Sequence, residues 1–195
     1  MAITLIVLLV LIGIVVGVGI MAYNRLVALK GQTENAWKQI DVQLKRRHDL
    51  IPNLVNAVKG ALQFERETLE AVIAARNTAV ATAASATPAT AGQVAAAESA
   101  LTATLTKFMA IVEAYPELKA TSNVGQFQEE LASTENRVSF ARQSYNDTAT
   151  EYNVAQKQFP TVLLAGMAGA APAQLWEIAE ESDRAVPTVD LSLKK

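Results

Sequence analysis

The stretch from residue 127 to 159, FQEELASTENRVSFARQSYNDTATEYNVAQKQF, predicts one long amphipathic helix. Its apolar and small residues recur at alternating steps of four and three, the spacing of a single helix face. That face comprises Phe127, Leu131, Thr134, Val138, Ala141, Tyr145, Thr148, Tyr152, Ala155 and Phe159. We expect a helix over 124–158 with this face buried, and Tyr145 and Tyr152 among the core residues.

The same spacing occurs twice upstream. One set predicts a helix over 91–115, opened by a capping box of Thr90 and Gln93 and closed before Pro116; its members are Val94, Leu101, Leu105, Phe108, Val112 and Tyr115. The other set comprises Trp37, Ile40, Leu44, Ile51, Leu54, Val58 and Leu62. Trp37 is expected to anchor this helix in the core.

Two ends are conceivable for the helix that carries Trp37. It either continues through Pro52 to Lys59 and Gly60, or breaks where Asp49 caps a new helix ahead of Pro52. Matched helix lengths favour the first alternative, with helices over 24–59 and 63–84. The Ala/Thr-rich linker 78–92 is expected to be dispensable, and the turn PELKATS makes the last two helices an antiparallel hairpin.

Residues 2–22, AITLIVLLVLIGIVVGVGIMA, form an uncharged apolar run as long as the roughly 20 residues that a membrane-spanning helix needs. No basic residue precedes the run, as a cleaved signal peptide would require. We therefore expect a single-pass anchor. Because Arg25, Lys30 and Lys38 follow it, the positive-inside rule places the bundle in the cytoplasm, with a periplasmic or external placement left open.

The chain thus predicts an all-α protein, in which one N-terminal transmembrane helix precedes an antiparallel four-helix bundle with long helices. Three segments follow: an anchor at 2–22, a bundle at 23–160, and an apolar patch with a flexible tail at 161–195. The C-terminal apolar patch, which is too short to span a bilayer, consists of Val162, Leu163, Leu164 and Met167. It is a candidate membrane-interface or oligomer contact.

Composition restricts the chemistry of the 195 residues. A formal net charge of −2 gives no basic face for nucleic-acid phosphates, so nucleic acid is not expected as a partner. The chain has no cysteine, which excludes disulfides, thiolate nucleophiles and cysteine-ligated zinc. In the anchor, Gly13 and Gly17 form a small-xxx-small pair that could support self-association.

Several blocks closely resemble the LemA family of bacterial membrane proteins, to which the MamQ-type proteins are related. They are YNRLVALKGQTENAWKQIDVQLKRRHDLIPNLVNAVKG, FERETLEAVIAARN, AYPELKA and ENRVSFARQSYNDTATEYNVAQKQFP, in order from Tyr23 to Pro160. The resemblance implies an N-terminal anchor followed by a helical bundle, in a bacterial inner membrane. Beyond Pro160 the chain departs from the family pattern with TVLLAGMAGAAPAQLW.

Candidate sites are few. Lys45, Arg46, Arg47 and His48 could contact an anion or a partner, although a solvated face with an arginine or two paired to helix acids is the simpler interpretation. Two acidic groups suggest a di-metal site, but the Glu-x-x-His pairs of such sites are missing; they are Glu65, Glu67, Glu70 and Glu129, Glu130, Glu135. No catalytic motif is present, and we expect neither metal nor cofactor.

Three tyrosine-asparagine pairs are the other polar feature: Tyr23 with Asn24, Tyr145 with Asn146, and Tyr152 with Asn153. Buried tyrosine hydroxyls need partners, and we expect them to bond to one another, to Thr134 or Thr148, or to backbone.

The leading functional hypothesis is a non-enzymatic, membrane-anchored scaffold that self-associates and organises the membrane or recruits a partner. The alternatives are an accessory docking module for an envelope or signalling protein and, least favoured, a carboxylate-based enzyme.

Replacing Val138 with Asp is predicted to unfold the bundle. An unpaired charge on the buried face costs several kcal/mol, a large share of the stability of a typical domain. A change at Arg47, assigned to the surface, should leave stability unaltered. Thermal unfolding followed by circular dichroism measures both; a Val138→Asp variant that melts like the parent would refute the helix assignment.

Overall fold

The computed structural model describes residues 1–60, 65–115 and 122–177, and within these ranges the regular structure is entirely helical. The helices are α1 (Ala2–Val58), α2 (Arg66–Ala84), α3 (Ala91–Ala114) and α4 (Ser122–Lys157). Short 3-10 turns cover Pro88–Thr90 and Thr161–Leu163. The predicted all-α class and four-helix bundle are confirmed.

Helix α1 joins the apolar N-terminal run to the bundle without a break. Its 57 residues correspond to about 85 Å at 1.5 Å per residue. Of the helices in the described ranges, α1 is the one long and apolar enough to cross a membrane, and its apolar window is not buried by the rest of the chain. The anchor predicted at 2–22 and the first bundle helix predicted at 24–59 therefore form one continuous helix.

Of the two predicted ends of α1, the structure shows the one near Gly60 and not a break at Asp49. The helix passes through Pro52 and ends at Val58, with the Lys59 amide bonded to the Val55 carbonyl. Proline lacks an N–H, which leaves the carbonyl four residues earlier without its helical partner. That carbonyl, of His48, accepts a bond of 3.1 Å from Arg76 Nε on α2. A side chain from the neighbouring helix thus compensates for the proline.

Packing divides the core into two clusters stacked along the bundle. Helix α4 packs along the second half of α1, α3 packs along α2, and α2 contacts α1. The first cluster includes Trp37, Ile40, Leu44, Val94, Val138, Tyr145 and Tyr152. The second includes Ile51, Leu54, Val58, Val72, Leu101, Phe108 and Val124.

The face predicted on α4 is off by one residue at Thr148. Ala149 is fully buried, while the neighbouring Thr148 is partly exposed. The predicted burial of Phe159 is wrong: α4 ends at Lys157, and Phe159 is 81% exposed.

The linker before α3 is more ordered than predicted. Its capping box joins Thr87 and Thr90 of the 3-10 turn, whereas Thr90 makes no side-chain cap at the start of α3, so the Thr90 and Gln93 box is wrong. The Pro88 carbonyl accepts bonds from the Gln174 amide and the Tyr145 hydroxyl. Because this linker supplies tertiary contacts, the expectation that it is dispensable is not supported.

After Pro160 the chain folds back onto the bundle. Ala173 and Trp176 are buried in the first core cluster, so the chain between the apolar patch and the tail predicted from Glu177 packs on the bundle. The predictions for Leu62, for the turn at 116–121 and for the tail beyond residue 177 lie outside the described residues.

Candidate functional site

The residues of the predicted basic cluster lie on two different faces of α1. Lys45 and Arg46 are exposed, and Lys45 Nζ lies 2.8 Å from Asp49 Oδ2, which keeps the pKa of Asp49 below its usual value. Arg47 and His48 are each only 4% exposed. The surface position assigned to Arg47 and His48 is therefore wrong, and the four residues do not form one surface patch. A change at Arg47 is accordingly expected to reduce stability, contrary to the expectation from sequence.

The side chains of Arg47 and His48 both bind the buried carboxylate of Glu98 on α3. Arg47 Nη1 donates to Glu98 Oε2 at 3.2 Å, and His48 Nε2 donates to Glu98 Oε1 at 2.7 Å. Arg47 Nη2 also contacts Thr102 Oγ1 at 2.7 Å and Glu135 Oε2 on α4 at 3.1 Å. Arg47, His48 and Glu98 form an ionic layer that connects α1 with α3, and the contact of Arg47 with Glu135 extends the connection to α4.

The ionic layer lies between the two apolar clusters. On α1 it follows Leu44 of the first cluster and precedes Ile51 of the second; on α3 it lies between Ala95 and Leu101. Glu98 was not among the candidate residues predicted from the sequence, although the spacing contains a signal for it. Glu98 fills the seven-residue gap between Val94 and Leu101, and Arg47 fills the gap between Leu44 and Ile51. A charged residue at a seam position predicts a buried pair when a second helix offers the opposite charge.

An ionic layer of this kind specifies register more than it adds stability. Burying charges costs desolvation free energy, which their attraction only offsets when the geometry is good. Sliding α3 by one turn would leave Arg47 and His48 against apolar side chains. The layer therefore favours a single alignment of α1 and α3.

Beside the ionic layer lies a cavity of about 370 Å³ between α3 and α4. Its lining includes Thr102, Glu135, Arg142 and Trp176. The guanidinium carbon of Arg142 lies 5.5 Å from the centroid of the Trp176 ring, and partial burial lowers the pKa of Arg142. The cavity wall thus carries both signs of charge, and this balance does not favour an anion.

Three aromatic side chains pack against one another in the first cluster. The Trp37 ring lies 5.2 Å from that of Tyr145, edge to face, and 6.1 Å from that of Trp176. Edge-to-face ring pairs add roughly 0.5–1.5 kcal/mol beyond the area they bury. Trp176 therefore holds the C-terminal segment in the core through a partner on α1.

Two asparagines clamp the C-terminal segment by its backbone. Asn153 bonds to both the amide and the carbonyl of Ala173, at 2.9 and 2.7 Å. Asn146 does the same with Trp176, at 2.8 and 3.0 Å. Seven helical residues rise about 10.5 Å, and three extended residues span about 10 Å, so the two clamps match in spacing.

Tyr145 completes this attachment. Its hydroxyl lies 2.6 Å from the Gln174 carbonyl and 3.1 Å from the Pro88 carbonyl, and burial raises the pKa of Tyr145 to about 12. The predicted need for a hydroxyl partner is met by backbone. Thr134 and Thr148 instead bond to carbonyls of their own helix.

The acidic residues remain separate. In the described ranges no group of three or more His, Asp or Glu side chains is arranged to hold a metal ion. Arg66 pairs with Glu70, and Glu135 with Arg47, so these two carboxylates serve ion pairs.

The remaining candidate contacts lie on the outside of the chain. Val162, Leu163 and Met167 are exposed, and Leu164 is partly exposed. A Cβ added at Gly13 or Gly17 would meet nothing within 4 Å.

Comparison with known proteins identifies one family. A model of the LemA family matches residues 36–191, which extends the match beyond Pro160 into the segment whose sequence departs from the family pattern. No curated protein matches the chain significantly.

Replacing Glu98 with Ala is predicted to destabilise the bundle by about 3–5 kcal/mol, because Arg47 and His48 would lose their shared partner while still buried. Glu113→Ala, an exposed position on the same helix, is the matched control and should change stability by less than about 0.5 kcal/mol. Chemical denaturation of the full chain in detergent measures both. Equal effects of the two substitutions would contradict the ionic layer.

Asn146→Ala combined with Asn153→Ala is predicted to release the C-terminal segment. Hydrogen exchange should become much faster at the amides of Ala173 and Trp176, which lose their acceptors, while amides in α3 stay protected. Asn24→Ala is the control, because Asn24 belongs to the pair with Tyr23 and is exposed. Unchanged protection in the double variant would show that the contacts of Trp176 and Gln174 hold the segment without the two asparagines.

Proposed function

Because the chain belongs to the LemA family, we propose that it is a non-enzymatic, membrane-anchored helical scaffold whose copies associate side by side in the bilayer. The main support for this proposal is that α1 continues without a break from the apolar run to the far end of the bundle. From residue 22 to Val58 the helix rises about 54 Å. Such a stalk transmits the orientation of its anchor to the whole bundle.

One surface of the stalk supports lateral association. The lateral face is a groove of about 550 Å³ between α1 and α4, whose lining includes Lys38, Val42, Arg137 and Phe140. Phe140 is 73% exposed and Val42 61% exposed. Large apolar side chains at this exposure favour a protein contact when they cluster.

Anchoring explains why the proposed partner is a second copy. Anchors in one bilayer hold all copies at the same height and in the same direction, so the lateral faces of two neighbours meet at equal level. A two-fold axis along the membrane normal would then pair each face with itself. Gly13 and Gly17 allow close approach of the two anchors on the same axis.

A second observation favours the docking alternative. A groove of about 770 Å³ lies between the end of α1 and the start of α2, at the end of the bundle away from the anchor. Pro52, Val55, Leu69 and Ile73 contribute apolar side chains, and Lys59 contributes a charge. It would suit an apolar segment of a partner protein, held roughly 50 Å from the bilayer.

The mass of the full-length protein in lipid nanodiscs tests the scaffold proposal. We expect a discrete assembly for the parent chain and mainly single copies for Val42→Ser combined with Phe140→Ser. Both side chains are exposed, so the variant should keep the thermal stability of the parent. Val27→Ser, an exposed valine of α1 outside the lining of the lateral face, is the control and should leave the assembly intact.

Two results would contradict the proposal in different ways. Single copies of the parent chain in nanodiscs would refute self-association and favour the docking module. An assembly that survives both serine substitutions, but dissociates with Gly13→Leu and Gly17→Leu, would place the contact in the anchor and refute the lateral face.

A further inference from the structure

The C-terminal apolar patch lies beside the proposed anchor. Trp37 packs on Tyr145, and Thr33 Oγ1 bonds to the Thr148 carbonyl, which fixes the antiparallel register of α1 and α4. Phe159 lies about 11 residues beyond Thr148, and an equal step back along α1 from Thr33 reaches Ala22. The end of α4 is therefore level with the last turn of the apolar run, and the 3-10 turn Thr161–Leu163 contacts α1.

Large apolar side chains on this part of the chain point outward. Phe159 is 81% exposed, Leu163 70% and Met167 78%, and Val162 is also exposed. Phe159 thus adds a fourth exposed side chain to those of the C-terminal apolar patch, and the four lie within nine positions of the chain. Nothing in the described residues covers them, yet they adjoin a helix that is itself long and apolar enough to cross a membrane.

The charge pattern marks the same boundary. Residues 158–176 contain no charged side chain, whereas Lys157 precedes them and Glu177 follows. At the polar side of the boundary, Arg25 on α1 pairs with Glu151 on α4, and Lys30 donates to the Gly169 carbonyl. Charged groups thus end on α1 and α4 at about the same height.

Several amides in and beside the patch are hydrogen-bonded within the segment. The amides of Val162, Leu163 and Leu164 donate to carbonyls three or four residues earlier, and those of Ala168, Gly169 and Ala170 donate to carbonyls three to five residues earlier. Gly169 adopts φ +57°, a left-handed conformation that reverses the chain at no steric cost for glycine. The paired amides lower the penalty for moving this segment out of water.

We propose that Phe159, Val162, Leu163 and Met167 insert into the lipid leaflet next to the anchor and form a second point of attachment for the bundle. This inference rests on the proposed membrane anchor, and it adds a lipid-binding surface to it. The occupant of the patch is the interfacial and acyl region of the bilayer that holds α1. Attachment at two points fixes the tilt and rotation of the stalk, which a single helix would leave free.

Single-cysteine labelling tests the proposal in the full-length chain, because the protein has no cysteine of its own. Leu163→Cys, Met167→Cys, Ser139→Cys and Leu9→Cys each carry an environment-sensitive fluorophore, in nanodiscs of phosphatidylcholine and phosphatidylglycerol. All four positions are exposed on the described chain, so labelling should not disturb the core. Quenching by spin-labelled lipids reports acyl contact, and quenching by iodide reports access to water.

We expect strong lipid quenching and little iodide quenching at positions 163 and 167, and the reverse at position 139, an exposed site of α4 outside the lateral face. Iodide quenching at 163 and 167 equal to that at 139 would overturn the proposal. Protection from both quenchers would also overturn it, since another protein chain would then cover the patch. Position 9 separates the two hypotheses: lipid quenching there without quenching at 163 and 167 refutes the second attachment alone, and its absence refutes the anchor.

A charge substitution gives an independent result. Met167→Glu should reduce lipid quenching of the label at position 163 severalfold, because the carboxylate draws the patch toward water. Circular dichroism should show unchanged helix content, since Met167 is exposed. Unchanged lipid quenching in this variant would show that the label, and not the patch, makes the lipid contact.

Discussion

The packing of α4 along the second half of α1 positions every other feature of the molecule. This contact sets the antiparallel register through Trp37 and Tyr145 and brings the end of α4 to the level of the apolar run. Because α1 has no break between that run and the bundle, a height measured along α1 is also a distance from the proposed bilayer. The lateral face, the ionic layer and the groove between the end of α1 and the start of α2 follow one another at increasing distance from the anchor.

The ionic layer gives this arrangement its specificity. Apolar heptad seams tolerate shifts by one turn, because one apolar residue can replace another at similar cost. Arg47, His48 and Glu98 cannot be shifted in this way, since each would meet apolar neighbours without a partner. Their position between two apolar clusters lets the clusters supply most of the stabilisation while the charges select the register.

The C-terminal segment, residues 161–177, has two roles. Its second half is held in the first cluster by Trp176 and by backbone bonds to Asn146 and Asn153. Its first half carries the exposed apolar patch, so fixing residues 173–176 also fixes the height of Leu163 and Met167. The family match that continues to residue 191 agrees with a segment integral to the bundle.

The sequence alone was sufficient for the apolar run, the helical class, the end of α1 near Gly60 and most of the buried face of α4, because these depend on local periodicity and on glycine and proline chemistry. It was insufficient for Arg47, His48 and Glu98, since a charged residue in a seam is buried only when a distant helix supplies its partner. The partners of Asn146 and Asn153 were likewise decided by the tertiary structure, because they are backbone groups whose identity leaves no mark on the sequence. The same holds for the exposure of Phe159: helical phase predicted burial, but the end of α4 and the return of the chain turned that side chain outward.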